Sequence, residues 1–442
     1  MIAKNEERFL ADCLASAAGL VQEMILVDTG STDRTVEIAR SAGARVVSYA
    51  WNDDFAAARN VGVALAKGSH VLVLDADERL GPGAAEGLQA AALDAELLLG
   101  SLPLHNASSL DATHLEVVTG AKRIGAPVFV PRFFPNLPEL RFTRRVHETL
   151  TVGFNRLHAL GRGKSKAVAA PLIHYGDVPA LRAGLGKDVR NELLLRRSLQ
   201  EDPSDGELAG YLVVQLLKVG RLADAREVGE HALAPFLRAI DGRPPGQLPM
   251  NTIRLGYALS FAQSETGAPD AALQTAREAA SRCPHEHPNL VFAEAHALEK
   301  LDRLDEARAR YERCLALDGQ VFAQPVLPGL TGDLTRLRLA DIALRQGAPE
   351  RSLELIESIA GSWAMKGTLL AAEAHLAAGD PARAMERLAP LVDMPTLPPD
   401  FHALAHRALT ALGQEAAELR TLALDADTAR WIERRRRAPL EA

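Results

Sequence analysis

The chain has 442 residues, of which 47% are hydrophobic and 24% charged, and its formal net charge is −7. At about 150 residues per domain, this length allows two to four domains. So mild an acidity gives no reason to expect a nucleic acid or an anionic membrane as partner. Three cysteines without metal-ligand spacing favour free thiols in a reducing compartment, so we expect a cytoplasmic protein. No apolar run reaches the ~18 residues of a membrane span.

The first βα connections of the predicted fold are rich in polar residues. Asn5 is a candidate cap for an amphipathic helix, and a short strand, Met24–Val27, precedes the polar run Asp28–Asp33 and a helix from Thr35. A strand that ends in aspartate, glycine and hydroxyl residues before a helix predicts a nest of backbone amides that binds an anion. The alternative is a capped βα turn that uses the side chain of Thr32 or Asp33.

A third strand, Arg45–Tyr49, leads into a helix from Phe55 to about Lys67. This helix carries Arg59 one turn beyond its start. An arginine at that position either reaches a diphosphate or pairs with Asp54.

The fourth predicted strand ends in three acidic residues. Val71–Leu74 is apolar and is followed by Asp75, Asp77 and Glu78. Ligands of open α/β sheets bind at the carboxyl ends of strands, so these carboxylates are where a nucleotide and its metal are expected. The alternative is a helix cap or an acidic turn. Four strands alternating with three helices predict a mostly parallel sheet.

The following residues predict an antiparallel extension that carries the site of a second substrate, with almost no helix. The predicted strands are 97–104, 115–119, 128–134, 140–150 and 168–175.

The first half of the chain contains six sequence motifs in order over about 175 residues. They are MIAKNEE from Met1, VDTGSTDRT from Val27, WNDDFAAARN from Trp51, LDADE from Leu74, RRVHE from Arg144 and IHYG from Ile173. In these motifs the chain resembles family-2 glycosyltransferases with a GT-A fold, in the SunS-like branch that carries C-terminal helical repeats. The resemblance implies an α/β nucleotide-sugar-binding domain over residues 1–178. It also implies a nucleotide-diphosphate sugar as donor.

The resemblance also implies roles for single residues. Glu6, Asp28, Arg59 and Asp75 would bind the nucleotide sugar, and Asp77 would bind Mg²⁺ or Mn²⁺ directly. Such a cation would neutralise the charge that develops on the diphosphate leaving group. His174 is the candidate second metal ligand, and its alternative is a strand-end histidine bonded to backbone.

The general base of an inverting transfer is expected at Glu148, in the half that would bind the acceptor. The alternative is that the His147–Glu148 pair holds the sheet extension together. A thiol acceptor would need little base. Compared with the family, the chain starts inside its first motif, so we expect a late start or a truncated first strand.

The second half is helical and rich in alanine. A charged bridging helix is expected within 179–202, with Leu185, Val189 and Leu193–Leu195 at core spacing. Residues 203–430 contain a recurring turn whose intervals are 47, 35, 45, 32 and 34 residues, close to tetratricopeptide repeats when two inserts, 241–249 and 319–332, are allowed for. The turn residues are Gly220, Gly267, Asp302, Gly347, Gly379 and Gly413.

Within these repeats, four alanines are expected where helices approach closely, and an apolar stripe is expected along the first helix. A basic tail, 431–442, contains Trp431 and Arg434–Arg437. The alanines are Ala225, Ala272, Ala307 and Ala384, and the stripe is Leu208, Leu212, Leu216 and Val219.

Two function classes remain open from the sequence. The first is a metal-dependent glycosyltransferase whose repeats hold a peptide, protein or glycan acceptor. The second is a repeat-based scaffold with a degenerate, inactive catalytic half; nucleotidyl transfer on a related sheet ranks third. Homodimerisation is an alternative use of the repeats.

Overall fold

A computed structural model describes residues 1–178, 181, 186–242, 251–320, 322, 326–391 and 397–412. The chain divides into two compact units, Met1–Leu208 and Ala209–Ala442. The predicted basic tail, the turn at Gly413 and most of the insert 241–249 lie outside the described residues. No helix within the described residues is long and apolar enough to cross a membrane.

The first unit alternates strands and helices from its beginning. Its elements in chain order are β1 (Ile2–Ala3), α1 (Leu10–Ala17), β2 (Ile25–Asp28), α2 (Thr35–Ser41), β3 (Arg45–Ser48), α3 (Phe55–Leu65), β4 (His70–Leu72), β5 (Glu78–Leu80), α4 (Ala84–Leu93), β6 (Leu97–Asn106), α5 (His114–Thr119), β7 (Val128–Pro135), α6 (Thr151–Ala159), β8 (Lys164–Ala167), β9 (Leu172–His174) and α7 (Gly186–Glu201).

These strands form two sheets. The first is parallel, in the order β1-β2-β3, and sets Asp28 beside Ala3 and Ser48. The predicted parallel arrangement is therefore confirmed for three strands. It is wrong for the fourth, because β4 pairs antiparallel with β7 in a second sheet of order β4-β7-β6-β9-β5, with β8 beside β6.

Residues of both sheets line a cavity of about 520 Å³. Ile25 of β2 lines it from the first sheet, and β4, which ends the second sheet among the described residues, lines it from the second. Most of its other lining residues are apolar, such as Leu88 and Phe133, while Glu23 and Arg59 contribute charges. The two sheets are thus held together by helices and loops rather than by a shared strand ladder.

The predicted antiparallel extension is partly correct. β6 and β7 are confirmed as antiparallel neighbours, but β8 and β9 both run parallel to β6. The predicted strand 115–119 is helix α5, because Thr113 and Glu116 form a reciprocal capping box at its start. In 140–150 an isolated bridge joins Thr143 and Thr149 instead of a strand, and α6 follows.

The helix expected within 179–202 is present as α7, although only part of its expected apolar face is buried. Leu194 and Leu195 are buried, whereas Val189 and Leu193 are 74% and 62% exposed. Leu185 lies outside the described residues.

The second unit consists of helix pairs. The helices that follow α7 are α8 (Gly206–Lys218), α9 (Leu222–Ile240), α10 (Asn251–Glu265), α11 (Pro269–Ser281), α12 (Pro288–Lys300), α13 (Leu304–Leu315), α14 (Asp333–Arg345), α15 (Pro349–Ile356), α16 (Ala364–Ala377), α17 (Pro381–Leu388) and α18 (Pro399–Ala411).

The predicted turn residues separate the two helices of each pair. Gly220, Gly267, Gly347 and Gly379 have φ values of 75°, 78°, 74° and 78°, and Asp302 has 57°. This left-handed backbone ends a helix within one residue, and glycine adopts it without steric cost. The repeat prediction is therefore confirmed for the five turns that the structure describes.

Packing in the repeats also follows the prediction, with one exception. The four small residues expected at close helix approaches are fully buried, as are Leu208, Leu212 and Leu216. Val219 is 56% exposed because α8 ends one residue before it. The four small residues at these close approaches are Ala225, Ala272, Ala307 and Ala384.

Candidate active site

The Asp75 carboxylate lies between two arginines. Arg59 Nη2 donates to Asp75 Oδ1 at 2.8 Å, and Arg132 Nη2 donates to Oδ2 at 2.6 Å. Burial alone would raise the pKa of Asp75, but the charges of Arg132 and Arg59 outweigh it and hold that pKa well below its usual range. Asp75 is thus a fixed anion whose side chain remains 33% exposed.

Glu78 completes the loop that carries Asp75. Its Oε2 accepts the backbone N–H of Asp75 at 2.9 Å, which matches the alternative of an acidic turn, and its Oε1 accepts from Arg132. Burial raises the pKa of Glu78 to about 7 although Arg132 acts in the opposite direction. The sequence motifs do not reveal Arg132, because it lies on β7, far along the chain from the acids it binds.

Arg59 is committed to carboxylates on both sides. Its Nε donates to Glu148 Oε1, so the guanidinium lies between Glu148 and Asp75. The expected alternative, a pair with Asp54, is wrong: Asp54 accepts the N–H of Ala57 at 2.8 Å and caps α3. Two buried guanidinium nitrogens of this cluster, Arg59 Nη1 and Arg132 Nε, have no hydrogen-bond partner among the described residues. A diphosphate-facing role for Arg59 stays a prediction.

Asp77, directly before β5, lies beside His174, the last residue of β9. His174 Nε2 is 3.4 Å from Asp77 Oδ2, and His174 Nδ1 is 2.8 Å from Asn106 Oδ1. Burial lowers the pKa of His174, but the hydrogen bond and charge of Asp77 raise it above its ordinary value. The alternative of a histidine bonded to backbone is wrong, because both ring nitrogens face side chains.

The lack of a side chain at Gly176 lets Asp77 and His174 approach its backbone closely. A Cβ at this position would be 2.1 Å from Asp77 Oδ2 and 2.7 Å from His174 Nε2. A carboxylate oxygen and an imidazole nitrogen are suitable donors for Mn²⁺, and to a lesser degree for Mg²⁺. The residues therefore fit a divalent cation with two protein ligands.

The described residues offer such a cation no third protein ligand beside Asp77 and His174. The described residues contain no group of three or more His, Cys, Asp and Glu that could hold a metal ion. Both carboxylate oxygens of Asp75 already accept from arginines. A cation at Asp77 and His174 would thus keep most of its coordination positions for other oxygen ligands.

The predicted amide nest after β2 is occupied by the protein's own side chains. Asp28 Oδ1 accepts the N–H of Ser31 at 3.0 Å, Asn5 Oδ1 that of Thr32 at 2.8 Å, and Asp33 Oδ1 that of Thr35 at 3.0 Å. The alternative, a capped turn, describes this segment better. Asp28 is buried, and the backbone N–H of Glu6 donates to Thr35 Oγ1, so the two predicted nucleotide-binding residues lie on adjoining loops.

The residues of the RRVHE motif contact two different regions of the first unit. Arg144 binds Asp205 and Glu207, and Arg145 Nη2 donates to Glu201 at 2.8 Å, all within the first unit. Arg144 and His147 have positive φ values of 76° and 52°, which non-glycine residues rarely adopt. Within the motif, the side chain that reaches the Asp75 cluster is that of Glu148.

Comparison with known proteins identifies this half of the chain. The model of the family described as "Glycosyl transferase family 2" matches residues 1–157. This segment is a family-2 glycosyltransferase domain. Within one relative, an uncharacterized glycosyltransferase of Rickettsia typhi, 80 residues are 36% identical, 18% of this chain and 27% of the relative.

A second relative carries tetratricopeptide repeats in its name. A TPR repeat-containing protein of Synechococcus elongatus is 34% identical over 278 residues, 62% of this chain. The chain spans 63% of the length of that relative. Together with the helix pairs, this confirms the predicted class, an α/β glycosyltransferase domain followed by tetratricopeptide-like helices.

Solved structures similar to this chain are tetratricopeptide proteins. One from Parabacteroides merdae has 14% identity and a TM-score of 0.39, with 56% of this chain and 92% of that chain covered. YrrB, described as having an unusual peptide-binding site, has 14% identity and a TM-score of 0.33, with 50% and 97% covered.

Proposed function

We propose that the protein transfers a sugar from a nucleotide-diphosphate donor to a peptide, protein or glycan acceptor. The observation that carries the proposal is the Asp77–His174 pair, packed against Gly176 within a family-2 glycosyltransferase domain. The fixed Asp75 anion two residues away is suited to accept hydrogen bonds from the hydroxyls of a donor ribose.

Asp77 and His174 would hold Mg²⁺ or Mn²⁺. Such a cation, when bound, would supply positive charge to the departing diphosphate. Asp28 and Glu6 would contact the nucleotide from the loops that follow β2 and β1. Arg59 would act mainly by fixing Asp75, because two of its nitrogens already bind carboxylates.

For an inverting transfer, Glu148 would be the base that accepts the acceptor's proton. One of its oxygens accepts from Arg59, so the other is the candidate proton acceptor. Its side chain is 14% exposed, so an acceptor hydroxyl or thiol would have to enter the cluster to reach it.

The helical repeats would hold the acceptor. Two observations support this proposal: the second unit consists of helix pairs, and the chain is similar in sequence to a TPR repeat-containing protein. Stacked helix pairs form extended surfaces that suit a peptide or a protein segment.

The decisive test is donor binding by the full chain. Titration calorimetry with a panel of nucleotide sugars should show binding of at least one of them that requires Mn²⁺ and is lost in Asp77→Ala. Release of a nucleoside diphosphate should accompany transfer. If no donor binds, the scaffold alternative gains support, and release of pyrophosphate would point to nucleotidyl transfer.

Glu148→Gln tests the base separately. Glutamine keeps an oxygen that can accept from Arg59, so donor binding should persist while the rate of transfer falls about 100-fold or more. Transfer at the wild-type rate would remove Glu148 as the base and leave the donor site intact.

A further inference from the structure

Asn106 contacts the candidate metal ligand from the neighbouring strand. It is the last residue of β6 and lies opposite His174 of β9 in parallel register. Its Oδ1 is 2.8 Å from His174 Nδ1. No sequence motif of the first half includes this asparagine.

Backbone hydrogen bonds fix both partners. The N–H of Ile124 donates to the carbonyl of Asn106 at 2.8 Å, and the N–H of Ala107 donates to the carbonyl of His174 at 2.9 Å. Neither backbone can shift without breaking one of these two hydrogen bonds. The sheet therefore holds the side chains of Asn106 and His174 next to each other.

We propose that Asn106 is a positioning residue that sets the tautomer of His174. An amide oxygen only accepts hydrogen bonds, so it retains the proton on Nδ1 of the neutral ring. Nε2, 3.4 Å from Asp77 Oδ2, is then the ring nitrogen left to bind a divalent cation, which would replace a proton shared with Asp77.

In this arrangement a divalent cation has a defined place. Without metal, the negative charge of Asp77 favours a proton on Nε2, and a cation bound by both side chains takes the place of that proton. Outer partners of metal-bound histidines typically change metal affinity 10- to 100-fold. The inference rests on the proposed function, since it presumes that Asp77 and His174 bind a cation.

The opposite amide orientation makes a distinct prediction. If Nδ2 of Asn106 donated to Nδ1, the ring proton would sit on Nε2 and would block a metal ion there. Aspartate cannot donate, whereas leucine can neither donate nor accept. Asn106→Asp and Asn106→Leu therefore distinguish the two orientations.

The test is Mn²⁺ binding to the full chain, followed by electron paramagnetic resonance of the free ion. Asn106→Leu should weaken Mn²⁺ binding about 10- to 100-fold, and Asn106→Asp should bind at least as tightly as the wild type. With diamagnetic Zn²⁺ in place of Mn²⁺, nitrogen NMR should show the ring proton of His174 on Nδ1.

Asn136→Leu is a matched control. Asn136 Nδ2 donates to the carbonyls of Ala66 and Gly68, so its loss should lower Tm without changing Mn²⁺ affinity. Unchanged Mn²⁺ affinity in Asn106→Leu, or a proton on Nε2, would overturn the role of Asn106. Absence of Mn²⁺ binding in the wild type would instead overturn the cation site of the proposed function.

Discussion

At the scale of single residues, the site is defined by how its charges are paired. Asp75, Glu78 and Glu148 share two guanidinium groups, those of Arg59 and Arg132. Buried ion pairs contribute little net stability, but removal of one partner leaves an uncompensated buried charge. The cluster is therefore more sensitive to the loss of one member than to neutral replacement of a pair.

Arg132→Met should lower the free energy of unfolding by about 3 kcal/mol, because Glu78 is 2% exposed and would lose its cationic partner. Urea unfolding of the full chain measures the change. The double variant Arg132→Met/Glu78→Gln should recover part of the loss, since the amide needs no counter-charge.

Arg162→Met is the control for Arg132→Met. Arg162 pairs with Glu139, and their side chains are 49% and 34% exposed, so this loss should be below about 1 kcal/mol. Equal losses from Arg132 and Arg162 would mean that the cluster around Asp75 is solvated rather than buried.

Gly176→Ala should abolish Mn²⁺ binding, because the added Cβ would occupy the space next to Asp77 Oδ2 and His174 Nε2. Calorimetry with Mn²⁺ measures the effect. Gly62→Ala is the control, since its Cβ would be 3.4 Å from the nearest atom, Val27 Cγ2, and binding should persist. Retention of wild-type Mn²⁺ affinity in Gly176→Ala would place the cation elsewhere.

The sequence predicts some residues of the candidate site but not others. Asp77 and His174 were expected together because the family resemblance implies that both are metal ligands, and the structure places them 3.4 Å apart. Arg132 and Asn106 could not be found in this way. Their contacts depend on the pairing of β6 with β7 and β9, which no local pattern of residues specifies.

At the scale of elements, the left-handed turns of the repeats were predictable, because a helix-ending glycine is a local requirement. The same local reasoning explains the failures. The β-branched run in 115–119 suggested a strand, but the capping pair Thr113 and Glu116 starts a helix there. That signal was present in the sequence and outweighs residue propensity.

Gly267→Ala should lower the stability of the repeats by about 1 kcal/mol, because alanine is strained at a φ of 78°. The same substitution at Gly367, within α16, should be neutral or stabilising, since its Cβ meets the nearest atoms at 3.4 Å. Thermal unfolding of both variants gives the comparison. Stability changes of the same sign would argue against the left-handed turn.

The link between α10 and α12 should make repeat stability depend on pH. The hydrogen bond from His296 lowers the pKa of Glu265 to about 2, with Lys300 assisting and burial opposing. A depressed carboxyl pKa stabilises the fold above its usual value of 4.5, and this contribution disappears as the pH falls toward 2.

Glu265→Gln should therefore be less stable than the wild type by roughly 1–2 kcal/mol at pH 6, a figure reduced for the 27% exposure of the side chain. The difference should shrink toward zero as the pH approaches 2. Urea unfolding at several pH values measures it, and a difference that does not vary with pH would exclude an ionised Glu265 as its source.

At the scale of the whole molecule, the two units should respond differently to ligand. Mn²⁺ with UDP or GDP at about 100 times its dissociation constant should stabilise the unit Met1–Leu208 by about 2.7 kcal/mol. Scanning calorimetry of the full chain should show one transition moving and another staying in place. Asp77→Ala should remove the shift; an equal shift of both transitions would show that the units unfold as one.

The cavity lined by residues of both sheets has a consequence for volume. A cavity of about 520 Å³ with mostly apolar walls is space that the folded unit encloses and the unfolded chain does not. The volume lost on unfolding grows with such internal voids, so hydrostatic pressure favours unfolding of this unit. The unit that carries Asp75, Asp77 and Glu148 is thus predicted to be sensitive to hydrostatic pressure.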